Sequence, residues 1–111
     1  MSDLKSKTCQ PCAPGTTPLS RPQAESLLAQ LPGWSLNDAA SEIARSFKFK
    51  NYYETMAFVN ALAWVAHRED HHPDIEVSYN RCHVRFSTHS IKGLSENDCI
   101  CAAKINALLG E

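Results

Sequence analysis

No stretch of this sequence is long and apolar enough to span a bilayer. The longest uninterrupted apolar run is Ala61 to Ala66, far short of the roughly 20 residues a helical span needs. The polar opening, Met1 to Lys7, has no apolar stretch behind it of the kind a secretion signal carries. Neither sign of charge dominates: Lys+Arg is 11, Asp+Glu is 12, and the formal net charge is -1. The positive excess on which non-specific binding to nucleic acid or anionic lipid relies is therefore missing. The cysteine count is odd, five, with no secretion signal, so a disulfide framework is not expected and the thiols read as reduced. No internal repeat is present. These absences lead to the expectation of a soluble, cytoplasmic protein with no nucleic-acid and no membrane partner.

What the chain does have is 111 residues with 43% hydrophobic and 21% charged composition, which fits one domain. Residues 1–19, rich in Ser, Thr, Lys and Pro and without periodicity, read as a mobile tail, and residues 20–111 as the domain. Ser20 with Pro22 and Gln23 makes a helix start, Ala24, Leu27, Leu28 and Leu31 follow at helical spacing, and Pro32-Gly33 stops the helix. Trp34 to Leu36 and Ile43 to Phe49 read as two paired strands. Asn51 and Glu54 open the longest helix, expected to be largely buried along Tyr52, Met56, Val59, Ala63 and Ala66, widened by Phe58, Leu62 and Val65. Pro73 prevents it from running far past His71, because it biases His72 away from helical conformation.

Ile75, Val77 and Tyr79, then Cys82, Val84 and Phe86, form two alternating runs around an Asn80-Arg81 turn, with Asn tolerating positive φ. Leu94-Ser95-Glu96-Asn97-Asp98 starts a last helix, with Asp98 at its third position. The order α-β-β-α-β-β-α implies an α+β fold: a single domain with a four-stranded antiparallel sheet and helices packed on one face. Trp34 and Trp64 read as core or interface residues.

All five histidines fall between His67 and His89. A turn at 80 and 81 opposes residues whose numbers sum to 161, which puts the Ile75, Val77, Tyr79, Cys82, Val84 and Phe86 pairs on the core face. On the other face it pairs Ser78 with His83, Glu76 with Arg85, and Asp74 with Ser87. One further step brings His72 opposite His89, on the wall of one pocket. His71, at the end of the long helix near Glu69, Asp70 and Asp74, sits where the helix dipole and the carboxylates favour an imidazolium. Imidazoles converging in environments of different charge suit a reaction that needs a general acid and a general base.

His67 and His71, one helical turn apart, do not make a metal site: Arg68 stands where HExxH has Glu, and no third ligand is spaced for it. Cys9-x-x-Cys12 lacks a second such pair and reads as a bystander of the tail.

The set Asp70-His71-His72-Pro73, Tyr79-Asn80, Val84, Ser87-Thr88-His89, Gly93-Leu94-Ser95 and Asp98 resembles the pterin-4a-carbinolamine dehydratase family. Leu31-Pro32-Gly33-Trp34, Phe47-x-Phe49 and the Cys9-x-x-Cys12 tail extend the likeness over essentially the whole chain. One departure is His67, where many members carry Glu. The resemblance implies dehydration of 4a-hydroxytetrahydropterin to quinonoid dihydropterin, in tetrahydrobiopterin recycling beside an aromatic amino-acid hydroxylase. The pterin would be the substrate, and no metal or other cofactor is implied.

It also implies that His71 and His89 donate a proton to the 4a oxygen and that His72 holds the ring and accepts a proton. Ser87 and Thr88 would meet the pterin's amide edge, Pro73 would shape the floor, and Asp70 and Asp98 would supply acidic groups near the pocket. A homodimer or homotetramer is expected from the family's habit and from the two open sheet edges. The alternative is a non-catalytic dimerisation or transcriptional cofactor module on the same fold, since animal members also serve as dimerisation cofactors of a homeodomain transcription factor.

Overall fold

Each α-helix begins where the sequence offers a capping residue. The computed structural model describes residues 3–13 and 15–111; Met1, Ser2 and Pro14 of the expected tail lie outside the described residues. Helix α1 (Arg21–Leu28) opens on a reciprocal box in which Ser20 N–H donates to Gln23 Oε1 at 2.8 Å and Gln23 N–H donates to Ser20 Oγ at 3.3 Å. It ends before the expected Leu31, because the chain tightens into i+3 bonds, Gln30 N–H to Leu27 O and Leu31 N–H to Leu28 O. That tightening drops Leu31 into the core.

Strands β1 (Ser35–Leu36) and β2 (Ile43–Lys48) follow, then helix α2 (Tyr52–Glu69), capped by Asn51 Oδ1 accepting Glu54 N–H at 2.9 Å. Strands β3 (Asp74–Val77) and β4 (Arg81–Phe86) lead to helix α3 (Glu96–Leu108), with Ser95 at its N-cap. All strand pairs are antiparallel and the sheet order is β1-β2-β4-β3. The α+β fold is as expected. Among the described residues no helix is long and apolar enough to cross a membrane.

The order of the sheet decides what is buried. Ile43 and Phe47 of β2 and Cys82, Val84 and Phe86 of β4 lie under the helices, joined by Trp34, Phe58, Leu62 and the inner face of α3. Strand β3 is at the edge, so Ile75, Val77 and Tyr79, expected in the core, are exposed at 36%, 41% and 63%. Helix α2 is likewise buried along one stripe, Thr55, Phe58, Leu62 and Ala66, and not along Tyr52 or Ala63. Trp34 is core, but Trp64 is exposed and lies against the His67 ring.

The β3–β4 register corrects the expected one. Val77 faces Cys82, Ile75 faces Val84, Glu76 faces His83 and Asp74 faces Arg85, so opposed numbers sum to 159 and the loop residues are Tyr79 and Asn80. Neither has positive φ. Tertiary partners fix this turn instead: the buried Thr55 hydroxyl donates to Tyr79 O, and Phe49 N–H donates to Asn80 O. A shift of two in the sum preserves which face each residue takes but moves every partner by two. His72 therefore does not fall opposite His89; continued past Asp74, the register places Ser87 there. His83 bonds Ser46 Oγ through Nδ1 and is not beside Ser78, while Arg85 still reaches Glu76 diagonally at 2.5 Å.

Asn106 on α3 is buried and closes the far end of the core. Its Oδ1 accepts from Trp34 Nε1 and from Arg45 Nη1, both at 2.8 Å, and its Nδ2 donates to Pro32 O. Asn106→Leu strands the indole N–H in apolar surroundings, so it should lower the unfolding free energy by about 1–3 kcal/mol, read by urea denaturation.

Candidate active site

The end of α2 aims the first histidine of the site. The helix terminates with Asp70 in the left-handed region (φ 51°, ψ 44°), Asp70 N–H donating to His67 O and His71 N–H donating back to Ala66 O. This is the Schellman arrangement that glycine usually serves. A residue other than glycine holds that conformation at a cost of roughly 1 kcal/mol. The reversal turns His71 away from the helix axis toward α3, so His67 and His71 are not on one helical face, and His67 is exposed.

His71 Nε2 lies 2.6 Å from Asp98 Oδ1, with the histidine side chain 13% and the carboxylate 0% exposed. The imidazole stacks on Phe86 at 5.9 Å between centroids and 6° between planes. Asp98 Oδ2 accepts the Thr88 hydroxyl at 2.8 Å and Ser95 N–H at 3.0 Å, and Thr88 Oγ1 and Ser95 Oγ are 2.7 Å apart. Thr88 is set by a bridge to Gly93, its N–H donating to Gly93 O at 2.8 Å, around a 3-10 turn at His89–Ile91. Gly93 is required there because a Cβ would come within 2.7 Å of the Pro18 side chain. Three chain segments, the exits of α2 and β4 and the start of α3, thus meet at one carboxylate. With Asp98 ionised, every contact to it comes from a donor, which places the proton of the His71–Asp98 bond on Nε2 and leaves Nδ1 for other partners.

A cleft of about 380 Å³ opens against this unit. Of the expected site residues, Asp70, His71 and Thr88 line it. Asp98 stands behind them, buried. His72 and His89 are exposed, Pro73 and Ser87 are half-buried, and all four are outside its lining; each of the two histidines is one residue beyond a member of the network, His71 or Thr88.

Sequence reading did not single out Ser95 as a network member or Arg68, Ser90 and Asn97 as lining residues. Asn97 had one available signal, its place next to Asp98 in the first turn of α3. The tail supplies the remaining wall through Cys9, Gln10, Pro11 and Cys12. Among the described residues, no three His, Cys, Asp or Glu side chains converge in a metal-binding arrangement.

The model of the family described as pterin 4 alpha carbinolamine dehydratase matches residues 17–108. The chain belongs to this family. A relative from Nitrosomonas eutropha, provisionally named pterin-4-alpha-carbinolamine dehydratase, is 59% identical over 108 residues, covering 96% of this chain and 94% of its own. The crystal structure of a transcriptional coactivator/pterin dehydratase from Brucella melitensis superposes with a TM-score of 0.79 at 37% identity, over 83% of this chain and 98% of that one. A pterin dehydratase-like protein identified as a RuBisCO assembly factor in the alpha-carboxysome shares the fold, with a TM-score of 0.62 at 24% identity over 71% and 92%. The matched range of this pterin dehydratase family member includes His71-His72-Pro73, Ser87-Thr88-His89 and Asp98.

Removing the shared carboxylate should be more damaging than neutralising it. Asp98→Ala leaves three donors without an acceptor in a buried site and should cost about 3–5 kcal/mol of stability. Asp98→Asn, which keeps one acceptor oxygen, should cost about 1–3 kcal/mol. Paired urea titrations check both the size and the order.

Proposed function

We propose that the protein dehydrates 4a-hydroxytetrahydropterin to quinonoid dihydropterin by histidine general acid and base catalysis. The observation that carries this reading is the fully buried Asp98 carboxylate holding His71 at the wall of the cleft, 2.6 Å from Nε2. Hydroxide is a poor leaving group. A proton must reach the 4a oxygen as the C4a–O bond breaks, while the N5 lone pair forms the C=N bond and the N5 proton departs. The net change is loss of water with no change of oxidation state, so the reaction itself calls for no redox cofactor, and the pterin is the substrate.

In this reading His71, acting as an imidazolium that donates through Nδ1–H while Nε2–H stays with Asp98, and His89 are the donors toward the 4a oxygen, and His72 orients the ring and accepts a proton. Thr88, Ser87 and Asp70 meet the polar edge of the pterin, and Pro73 keeps the chain extended beside it. A fixed imidazole next to two exposed ones offers a rigid and a mobile proton carrier. The metabolic setting proposed is tetrahydrobiopterin recycling in the cytoplasm, with an aromatic amino-acid hydroxylase supplying the carbinolamine.

The test is decay of a 4a-carbinolamine followed in the presence and absence of the protein. His71→Ala, His72→Ala and His89→Ala, each shown to be folded, should lose turnover by about 10²- to 10⁴-fold if they carry general acid or base roles. Folded His72→Ala and His89→Ala variants that both turn over like the parent would remove the assignment. Turnover surviving a chelator would separate it from metal-dependent hydrolysis.

A second reading, a non-catalytic dimerisation module, is favoured by the open edge of β3, where Ile75, Val77 and Tyr79 are exposed. The Brucella melitensis relative is also described as a coactivator. In either reading we propose a homo-oligomer that continues the sheet across β3. Val77→Pro with Ile75→Asp should shift sedimentation toward the monomer, because one change removes an N–H that faces away from β4 and would join a continued ladder, and the other charges an apolar strip.

A further inference from the structure

The tail reads from sequence as a bystander, yet residues 4–12 lie along α3 and over the cleft. Leu4 is buried, in a 3-10 turn at Leu4–Ser6, and Lys104 Nζ donates to Lys5 O. Lys7 pairs with Glu96 at 2.9 Å. Cys9 N–H donates to Glu69 Oε1 at 2.8 Å. The Asn97 side chain then treats Gln10 as a neighbouring strand would: Gln10 N–H donates to Asn97 Oδ1 at 3.0 Å, and Asn97 Nδ2 donates to Gln10 O at 2.6 Å.

These bonds deliver a sulfur pair. Cys9 Sγ stands 3.6 Å from Cys101 Sγ, and Cys101, fully buried under the strap, has its sulfur 4.0 Å from the carbonyl of His71. Cys82 and Cys99, buried in the core, have no such sulfur partner among the described residues.

We propose that Cys9 and Cys101 are a reversible disulfide site, closed by a small-molecule disulfide, that clamps the N-terminal strap over the cleft holding His71. Cys9 is half-buried and is the sulfur that reacts first. The Cys101 thiol is held protonated, its pKa raised by the hydrogen bond with Cys9 and then by burial.

The Cys9 thiolate attacks one sulfur of the oxidant R–S–S–R, whose S–S bond breaks to release RS⁻ and leave a Cys9–S–S–R mixed disulfide. Cys101 gives its proton to the departed RS⁻ and attacks the Cys9 sulfur, and the second RS⁻ leaves and takes a proton from water. In net terms two protein thiols lose two electrons and one disulfide becomes two thiols. Closure adds a covalent link to the hydrogen bonds that already hold the strap and removes the S–H that faces the His71 carbonyl.

The full-length protein is incubated with oxidised glutathione, and its peptides are mapped without reduction. A Cys9–Cys101 link is expected in the parent and in Cys12→Ser, absent in Cys101→Ser, and reversed by dithiothreitol. Hydrogen exchange at the amides of Cys9 and Gln10 should slow by about tenfold or more on oxidation, because local opening of the strap is then restricted. A Cys9–Cys12 link in place of the Cys9–Cys101 link, glutathione left on Cys9, or unchanged exchange in the linked protein would each overturn the proposal. None of these readouts passes through turnover, so the result is independent of the dehydratase reading.

Discussion

A carboxylate with no solvent exposure organises this molecule. Burying an ionised Asp is costly unless its oxygens are supplied with donors. Asp98 has three: the His71 ring, the Thr88 hydroxyl and the Ser95 amide. Its place at the third position of α3 adds the positive end of the helix dipole. The same oxygens that make the helix start hold the exits of α2 and β4 together. Any change that moves α3 therefore moves His71 and Thr88 with it, and the wall of the cleft shares its stability with the core.

The helix starts were legible because capping is local: Ser20 with Gln23, Asn51 with Glu54 and Ser95 with Asp98 each state their role within four residues. The faces of the strands were legible too, since alternation survives a shift of register by two. What could not be read was the position of the β3–β4 turn. Asn80 can serve either place in a two-residue loop, and the choice falls to Thr55 and Phe49, more than twenty residues away in the chain. The exposure of Ile75 and Val77 was hidden for a related reason. Alternation shows that a strand has an apolar face, whereas the strand order decides whether helices cover it.

The construction around His71 differs from the one the sequence suggested. Hairpin register was expected to place His72 across from His89. In the structure His71 and Thr88 are joined through Asp98, and the two exposed histidines follow one residue behind. Long-range proximity comes from a buried side chain that bridges two segments, and no strand pairing is needed for it. The tail escaped notice because its contacts are made by backbone groups with Asn97 and Glu69, which leave no periodic mark in the sequence.

In the proposed mechanism three similar imidazoles carry different tasks, and this construction bears on how. His71 is pinned on both sides, by Asp98 at one nitrogen and by Phe86 across its face, so its remaining nitrogen has a fixed direction. His72 and His89 face water on short, extended or 3-10 segments and can reorient within side-chain rotamers. A proton that must arrive at one oxygen in a defined geometry suits the pinned group, because orientation lost in the ground state is not lost again in the transition state. A proton that must leave for solvent suits a group already in contact with it. The proposed division of tasks then rests on burial and hydrogen bonding around the rings, with the imidazole chemistry held constant.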